Sequence, residues 1–285
     1  MQTRKLKKRR QVVTVNGKPV ITYVPIDNPP TGNTQQNITK VRDKKSNKKF
    51  EIFAYCSKNY YDAYKLMVPS WTKLDSVEKV TVYTDWDLKP NDDKVEIFHM
   101  FDPSDDWITG TGRRMDVIRH FSALHKNKKK NILFLDIDCY ITKDVNHVFE
   151  LDFDIGITRL FSTEGYANKT ATAGLWFARL TPGYYDFIDD WSALAKKYKE
   201  RGKGIKKHFI SYVQYSFTDV ARKGLASGKY NILPLDEKIY NSEHSDEKKW
   251  YRLITTHKPK ILHFKGRRFR NKKLVDRAIR MAGDK

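Results

Sequence analysis

The chain has 285 residues, 39% hydrophobic and 13% aromatic, enough to bury a substantial core and too apolar for wholesale disorder. Two cysteines, Cys56 and Cys139, exclude a disulfide scaffold and a four-cysteine zinc site. No run reaches the roughly 18 apolar residues of a membrane span, and MQTRKLKKRRQVV lacks the apolar stretch of a secretory leader, so a reducing, cytoplasmic setting is expected. The net charge is +21, unevenly spread. Residues 1–49 hold 13 Lys/Arg against Asp27 and Asp43, and residues 262–285 hold 9 against Asp276 and Asp284, leaving only +3 for the body between them. Basic ends of this kind suit a polyanion: nucleic acid, an anionic membrane surface or a phosphorylated substrate.

In chain order, residues 1–48 read as a basic arm and linker, with a hairpin at VVTVNGKPVITYV turning on Asn16-Gly17. From residue 49 the rhythm changes. FEIFAYC (50–56) has the short apolar run of a buried strand. NYYDAYKLMVPSW reads as a helix that breaks near Pro69. KVTVYTD (79–85) and KVEIFHMF (94–101) read as strands, and MDVIRHFSALHKN (115–127) has apolar residues at helical spacing. NILFLDIDCYI (131–141) reads as one buried strand, the clearest in the chain. FDIGITRL (153–160) and AGLWFARL (173–180) follow as strands, then helices over 184–200 and 208–224, then the strands NILPL (231–235) and PKILHF (259–264). Strands alternating with helices predict an α/β sheet, largely parallel at its start.

Four apolar residues, Ile132 to Leu135, lead directly into Asp136-Ile137-Asp138. In an open α/β sheet the carboxyl end of a strand is where ligands bind. Two carboxylates in an Asp-x-Asp turn can reach one divalent cation, and a diphosphate can complete its shell. Two enzyme classes use this pattern. In haloacid-dehalogenase-like phosphatases the motif DxDx(T/V) lies on the first strand, with a further acidic pair after a later strand. Here two or three strands precede it, and the later pair, Asp189-Asp190, lies within a helical pattern. Position favours the second class, glycosyltransferases of the GT-A fold.

The stretch from about Phe50 to Phe269 resembles GT-A glycosyltransferases of the glycogenin and bacterial galactosyltransferase type, family 8. ILFLDID resembles the family's LYLDxD segment, and Arg119 lies where the family has a donor-binding arginine. ATAGLWFARL resembles its NSG strand, with Thr172 and Ala173 in place of Asn and Ser. YVQYSF matches its Asp-Gln helix, keeping Gln214 but with Val213 for Asp; IYNSE resembles a turn near the acceptor, and ILHFKG a late HFxG motif.

The resemblance implies a Rossmann-like nucleotide-diphospho-sugar transferase, a mixed sheet flanked by helices, with the basic arm (1–48) ahead of it and a transferase domain (49–285) ending in a basic tail. It implies a metal, Mn²⁺ or Mg²⁺, held by Asp136, Asp138 and His263, and a UDP-sugar donor contacted by Tyr55, Cys56, Ser57, Asp85 and Arg119. Lys265, Gly266 and Arg268 would meet the diphosphate, with Arg267 and Arg270 nearby. Asp138 and Gln214 are the catalytic candidates, Gln214 lying near the anomeric carbon, and the family retains the donor's configuration. The acceptor is expected to be a polyanion, nucleic acid ahead of an anionic membrane or lipid-linked glycan. The alternatives are the phosphatase and an inactive GT-A-like nucleic-acid-binding protein.

Overall fold

A computed structural model describes residues 8–15, 18–25, 46–100, 107–158, 171–201, 212–244, 246–265 and 268–283; for 8–25 and 107–112 it describes backbone alone. Strands β1 (Lys8–Val15) and β2 (Lys18–Pro25) pair antiparallel with Val15 opposite Lys18. This is the expected hairpin; its Asn16-Gly17 turn and the linker after it lie outside the described residues.

The body is built on a seven-stranded mixed sheet. Its strands are β3 (Phe50–Cys56), β4 (Val77–Thr84), β5 (Val95–His99), β6 (Asn131–Asp136), β8 (Ile155–Thr158), β9 (Leu175–Arg179) and β10 (Ile232–Leu235), in the order β10-β8-β9-β6-β3-β4-β5. β6, β3, β4 and β5 run parallel, and β9 alone runs antiparallel to its neighbours β6 and β8. Helices cover both faces, which is why these strands read as nearly continuous apolar runs. On one face Ile52, Ala54 and Cys56 pack with Met67 and Trp71 of α1 (Tyr61–Thr72). On the other, Phe53, Phe134 and Trp176 pack against α2 (Trp107–Leu124), α3 (Pro182–Glu200) and α4 (Tyr212–Ser227). The Phe134 and Trp176 rings stack 3.8 Å apart between β6 and β9.

Besides α2, which begins at Trp107 rather than at 115, three differences from the sequence reading bear on the fold. Helix α1 continues through Pro69 to Thr72. A proline this near the end of a helix removes one bond of the last turns. Tertiary packing holds them, since Trp71 is fully buried and its indole donates to the Cys139 carbonyl at 2.9 Å.

The run 131–141 is not one strand. β6 stops at Asp136, the chain turns, and β7 (Cys139–Ile141) joins β11 (Ile261–His263) in a separate antiparallel pair. Both halves are apolar because both are buried, so the pattern carries no mark of the change of sheet.

The basic C-terminal stretch is folded. After α5 (Glu237–Tyr240) and α6 (Glu247–His257), residues Lys272–Ala282 form α7. Asp246 and Asn271 cap α6 and α7 by accepting from Lys249 N and Leu274 N. Leu274, Val275, Ala278 and Ala282 bury the inner stripe of α7, while Lys272, Lys273, Arg277 and Arg280 stay outside. No helix of the described residues is long and apolar enough to cross a membrane, and both cysteines are buried and unpaired.

Candidate active site

β6 delivers Asp136, half-buried, to the carboxyl end of the sheet, beside Tyr55 of β3 in register. Two residues later Asp138 is 5% exposed. The β7–β11 ladder sets His263 opposite Cys139, and Phe264 N donates to the Asp138 carbonyl at 2.9 Å. This register brings His263 Nε2 to 3.3 Å from Asp138 Oδ1 and 3.8 Å from Asp136 Oδ2. Two acids of one turn and a histidine remote in sequence thus converge on one point, and His263 is only 3% exposed.

The other imidazole nitrogen is braced. His263 Nδ1 lies 3.0 Å from Asn241 Oδ1 and 3.4 Å from Glu243 Oε2, and Glu243 Oε1 lies 3.6 Å from Lys265 Nζ. An amide oxygen can only accept, so Nδ1 carries a proton, while Nε2 faces the carboxylates, donating to Asp138 when protonated and free to ligate a cation when not. Burial pushes the His263 pKa down, but the Asp138 charge and hydrogen bond, with Glu243 and Asp136, outweigh it and raise it.

The donor set is two carboxylates and one imidazole, oxygen-rich with a single nitrogen, which suits a divalent cation of the Mn²⁺ type. The backbone is shaped for it: a Cβ on Gly174 would come within 1.9 Å of Asp136 Oδ2, so only glycine leaves that carboxylate its place. Cys139 Sγ also lies within 4.8 Å of the Asp138 and His263 ligand atoms. Burial, then the charges of Asp138 and Asp136, push its thiol far up, and it packs in the core as a neutral thiol.

A cleft beside the cluster is lined by Tyr55, Arg114, Asp136 and Gly174 over Phe134 and Trp176. The arginines that reach the acids are neighbours on α2: Arg114 pairs with Asp136, and Arg113 with Asp85 at 3.2 Å. Arg119, the arginine chosen from the sequence, is exposed on the same helix. The sequence offered a signal in the Arg113-Arg114 pair at the amino-terminal side of that helix, but helical period alone could not say which turn overlies the acids.

Asp85 is 1% exposed, with Tyr55 OH and Arg113 both on its Oδ2 and no partner in the described residues for its buried Oδ1. Burial first, then Asp85, pushes the Tyr55 phenol up, so it stays a donor. An unpaired buried carboxylate oxygen is costly and points to a missing donor.

Other expected residues fall differently. The Cys56 side chain is buried in the core, away from the cleft lining. Ser57 opens a 3-10 turn, with Tyr60 N donating to its carbonyl at 2.9 Å. Gln214 spends its amide on backbone: it accepts from Ala173 N at 3.1 Å and donates to the Ala171 carbonyl. It therefore braces the turn that carries Gly174. Val213, where the family has Asp, is buried beside Trp191, whose indole donates to the Val213 carbonyl. Lys265 is exposed. Arg268 donates to the His244 carbonyl and Arg270 to the Asn59 carbonyl. Gly266 and Arg267 lie outside the described residues. Asp190 holds Lys229 and Tyr230 in a groove of about 260 Å³ between α3 and α4, which shares no residue with the acid–histidine cluster. The second acidic pair that a phosphatase of the dehalogenase type requires is thus elsewhere.

The fold is similar to solved glycosyltransferases. An active-site mutant of LgtC, a galactosyltransferase, aligns with TM-score 0.51 at 14% identity, over 82% of this chain and 95% of that one. GlyE of Streptococcus pneumoniae aligns with TM-score 0.50 at 14% identity, over 78% of this chain and 55% of that one. No curated protein sequence matches. The family model for nucleotide-diphospho-sugar transferases matches residues 70–276, most of the chain and all of the acid–histidine cluster. The phosphatase alternative falls with that match: the chain belongs to the nucleotide-diphospho-sugar transferase family and is a GT-A glycosyltransferase of the family 8 type.

Proposed function

We propose that this enzyme transfers a hexose from a UDP-hexose to an acceptor hydroxyl, with Mn²⁺, or Mg²⁺ in its place, held by Asp136, Asp138 and His263. The observation that carries the reading is the approach of His263 Nε2 to Asp138 at 3.3 Å across the β7–β11 ladder, at the end of β6. A bound divalent cation there neutralises the charge that develops on the departing diphosphate. The chain's own residues do the rest. Asp85, fixed through Oδ2 by Tyr55 and Arg113, offers Oδ1 to an N–H of the base or a hydroxyl of the ribose. Arg114 holds Asp136 and stands in the cleft where the sugar and its phosphate would lie. Gln214 acts through the Ala171–Gly174 turn that it braces, and Lys265 adds a cation beside the phosphates. Residues 49–285 form the transferase domain in this reading, and residues 1–48 an arm ahead of it.

A thermal-shift screen of nucleotide sugars with and without Mn²⁺ tests this. A ligand bound by the native state alone raises Tm by mass action, by about 2.7 kcal/mol of stability at a hundredfold excess over Kd. The expected result is stabilisation by a UDP-hexose that requires Mn²⁺. A flat response to every UDP- and GDP-sugar would sink the donor assignment.

The brace on His263 gives a second expected result. Asn241→Ala removes the nearer of the two acceptors at Nδ1, leaving Glu243, and such outer partners contribute about 10-fold or more to metal affinity. Titration calorimetry with Mn²⁺ alone should show a Kd about 10-fold weaker, at unchanged Tm. Unchanged affinity would mean that Glu243 and packing orient the ring without Asn241.

A further inference from the structure

The acceptor is the open half of the reaction, and the folded C-terminal region speaks to it. Residues 246–283 hold 13 Lys/Arg against Asp246, Glu247 and Asp276, a net +10 of the chain's +21. Two rigid helices carry half of it: α6 and α7 hold Lys248, Lys249, Arg252, Lys272, Lys273, Arg277 and Arg280 against Glu247 and Asp276, a net +5. α6 and α7 pack side by side, with the Arg277 guanidinium 4.3 Å over the Tyr251 ring and Lys258 Nζ donating to the Met281 carbonyl. Lys248 and Arg252 lie one turn apart on α6, and Lys273, Arg277 and Arg280 lie at successive turns of α7; all five are exposed. Each helix has 11 residues, about 16 Å, which spans about five phosphates of one strand at 3.4 Å axial spacing.

The surface is tied to the active site. Trp250 of α6 donates to the Ser242 carbonyl, within the Asn241–Glu243 segment that braces His263. Ahead of α7, Phe269 packs on Tyr60 at 5.4 Å and Arg270 donates to the Asn59 carbonyl, just past the carboxyl end of β3. A polyanion held on α6–α7 would therefore be held close to the mouth of the site. Resting on the donor reading above, we propose that the outer face of α6 and α7 docks a nucleic-acid acceptor through its phosphate backbone.

A nucleic acid fits better than an anionic membrane. The apolar residues of α7 are spent on the core, and the large exposed apolar side chains of the described residues, Tyr61 and Leu124, lie on neither helix. A face without apolar side chains meets an anionic bilayer by charge alone, with no insertion to add affinity. Well-spaced cations on rigid helices contact backbone phosphates without reading sequence.

The test compares the full chain with the fourfold variant Lys248→Glu, Arg252→Glu, Lys273→Glu, Arg280→Glu, and with the same four positions changed to Gln. The probe is a labelled 20-base-pair duplex DNA, titrated across salt. The slope of log affinity against log salt should fall by about 3 to 4 units when four phosphate contacts are lost, while the arm contributes equally to every protein. Stabilisation by UDP-hexose and Mn²⁺ should persist, which separates this face from the donor site. If no UDP-sugar stabilises the native chain yet the slope still falls in the variants, the docking surface stands and the donor reading alone fails. An unchanged slope in the Gln variant overturns the proposal even if the Glu variant misfolds. So does native protein that pellets on phosphatidylserine vesicles and fails to bind DNA at low salt.

Discussion

Asp138→Asn is expected to lower donor turnover by about 10³-fold while the protein stays folded. Asparagine keeps the shape of the side chain, and the backbone bond from Phe264 N to the residue 138 carbonyl does not depend on it. What is lost is a buried negative charge, 3.3 Å from His263 Nε2, in a site where charge must be matched. Removing one such electrostatic contribution costs about 4 kcal/mol of transition-state stabilisation, about three decades in rate. UDP-sugar hydrolysis measured with Mn²⁺, beside a circular-dichroism melt, checks it. Normal activity of the variant, or native activity undiminished in excess EDTA, would overturn the proposed metal site.

The second large effect comes from one methyl group. Gly174→Ala places a Cβ 1.9 Å from Asp136 Oδ2 and 2.6 Å from its Cγ, far inside contact distance. The strands cannot separate to make room, because Asp136 N bonds to the Gly174 carbonyl and β6 is laddered to β9 from Leu135 opposite Leu175. The carboxylate must swing aside and leave Arg114. A displacement of about 1 Å in a reacting site costs about 10²-fold in rate. The clash is relieved by a side-chain rotation, so the fold should survive with Tm lowered by only a few degrees. Steady-state kinetics and a thermal melt on the same sample separate the two. An alanine variant with native kcat would show that Asp136 does not need the position it occupies.

Much of the scaffold was legible because the central strands β3 and β6 are buried on both faces and so leave an unbroken apolar mark: FEIFAYC and NILFL could hardly be anything else. The acidic turn was legible for the opposite reason, since two carboxylates directly after such a run have no place in the core. The Asn16-Gly17 hairpin was readable from turn chemistry. Illegible were features in which one local pattern serves two outcomes. Apolar residues 139–141 look the same whether they extend β6 or start a new pair. KKLVDRAIRMA looks like a charged tail until a partner surface buries Leu274, Val275 and Ala278. Pro69 reads as a break until Trp71 anchors the turn beyond it.

The sequence by itself therefore determined the α/β alternation, the strand that carries Asp136 and Asp138, and the concentration of charge at the two ends, because burial, turn chemistry and net charge are local properties. Only the tertiary structure decided which groups meet. His263 reaches Asp138 from 125 residues away because the β7–β11 register sets Cys139 opposite it. Arg113 and Arg114 rather than Arg119 face the acids because of how α2 sits on the sheet. Gly174 is required because antiparallel β9 runs its backbone against the Asp136 carboxylate. Register, helix rotation and close approach are set by packing between elements distant in sequence, and no window of residues encodes them.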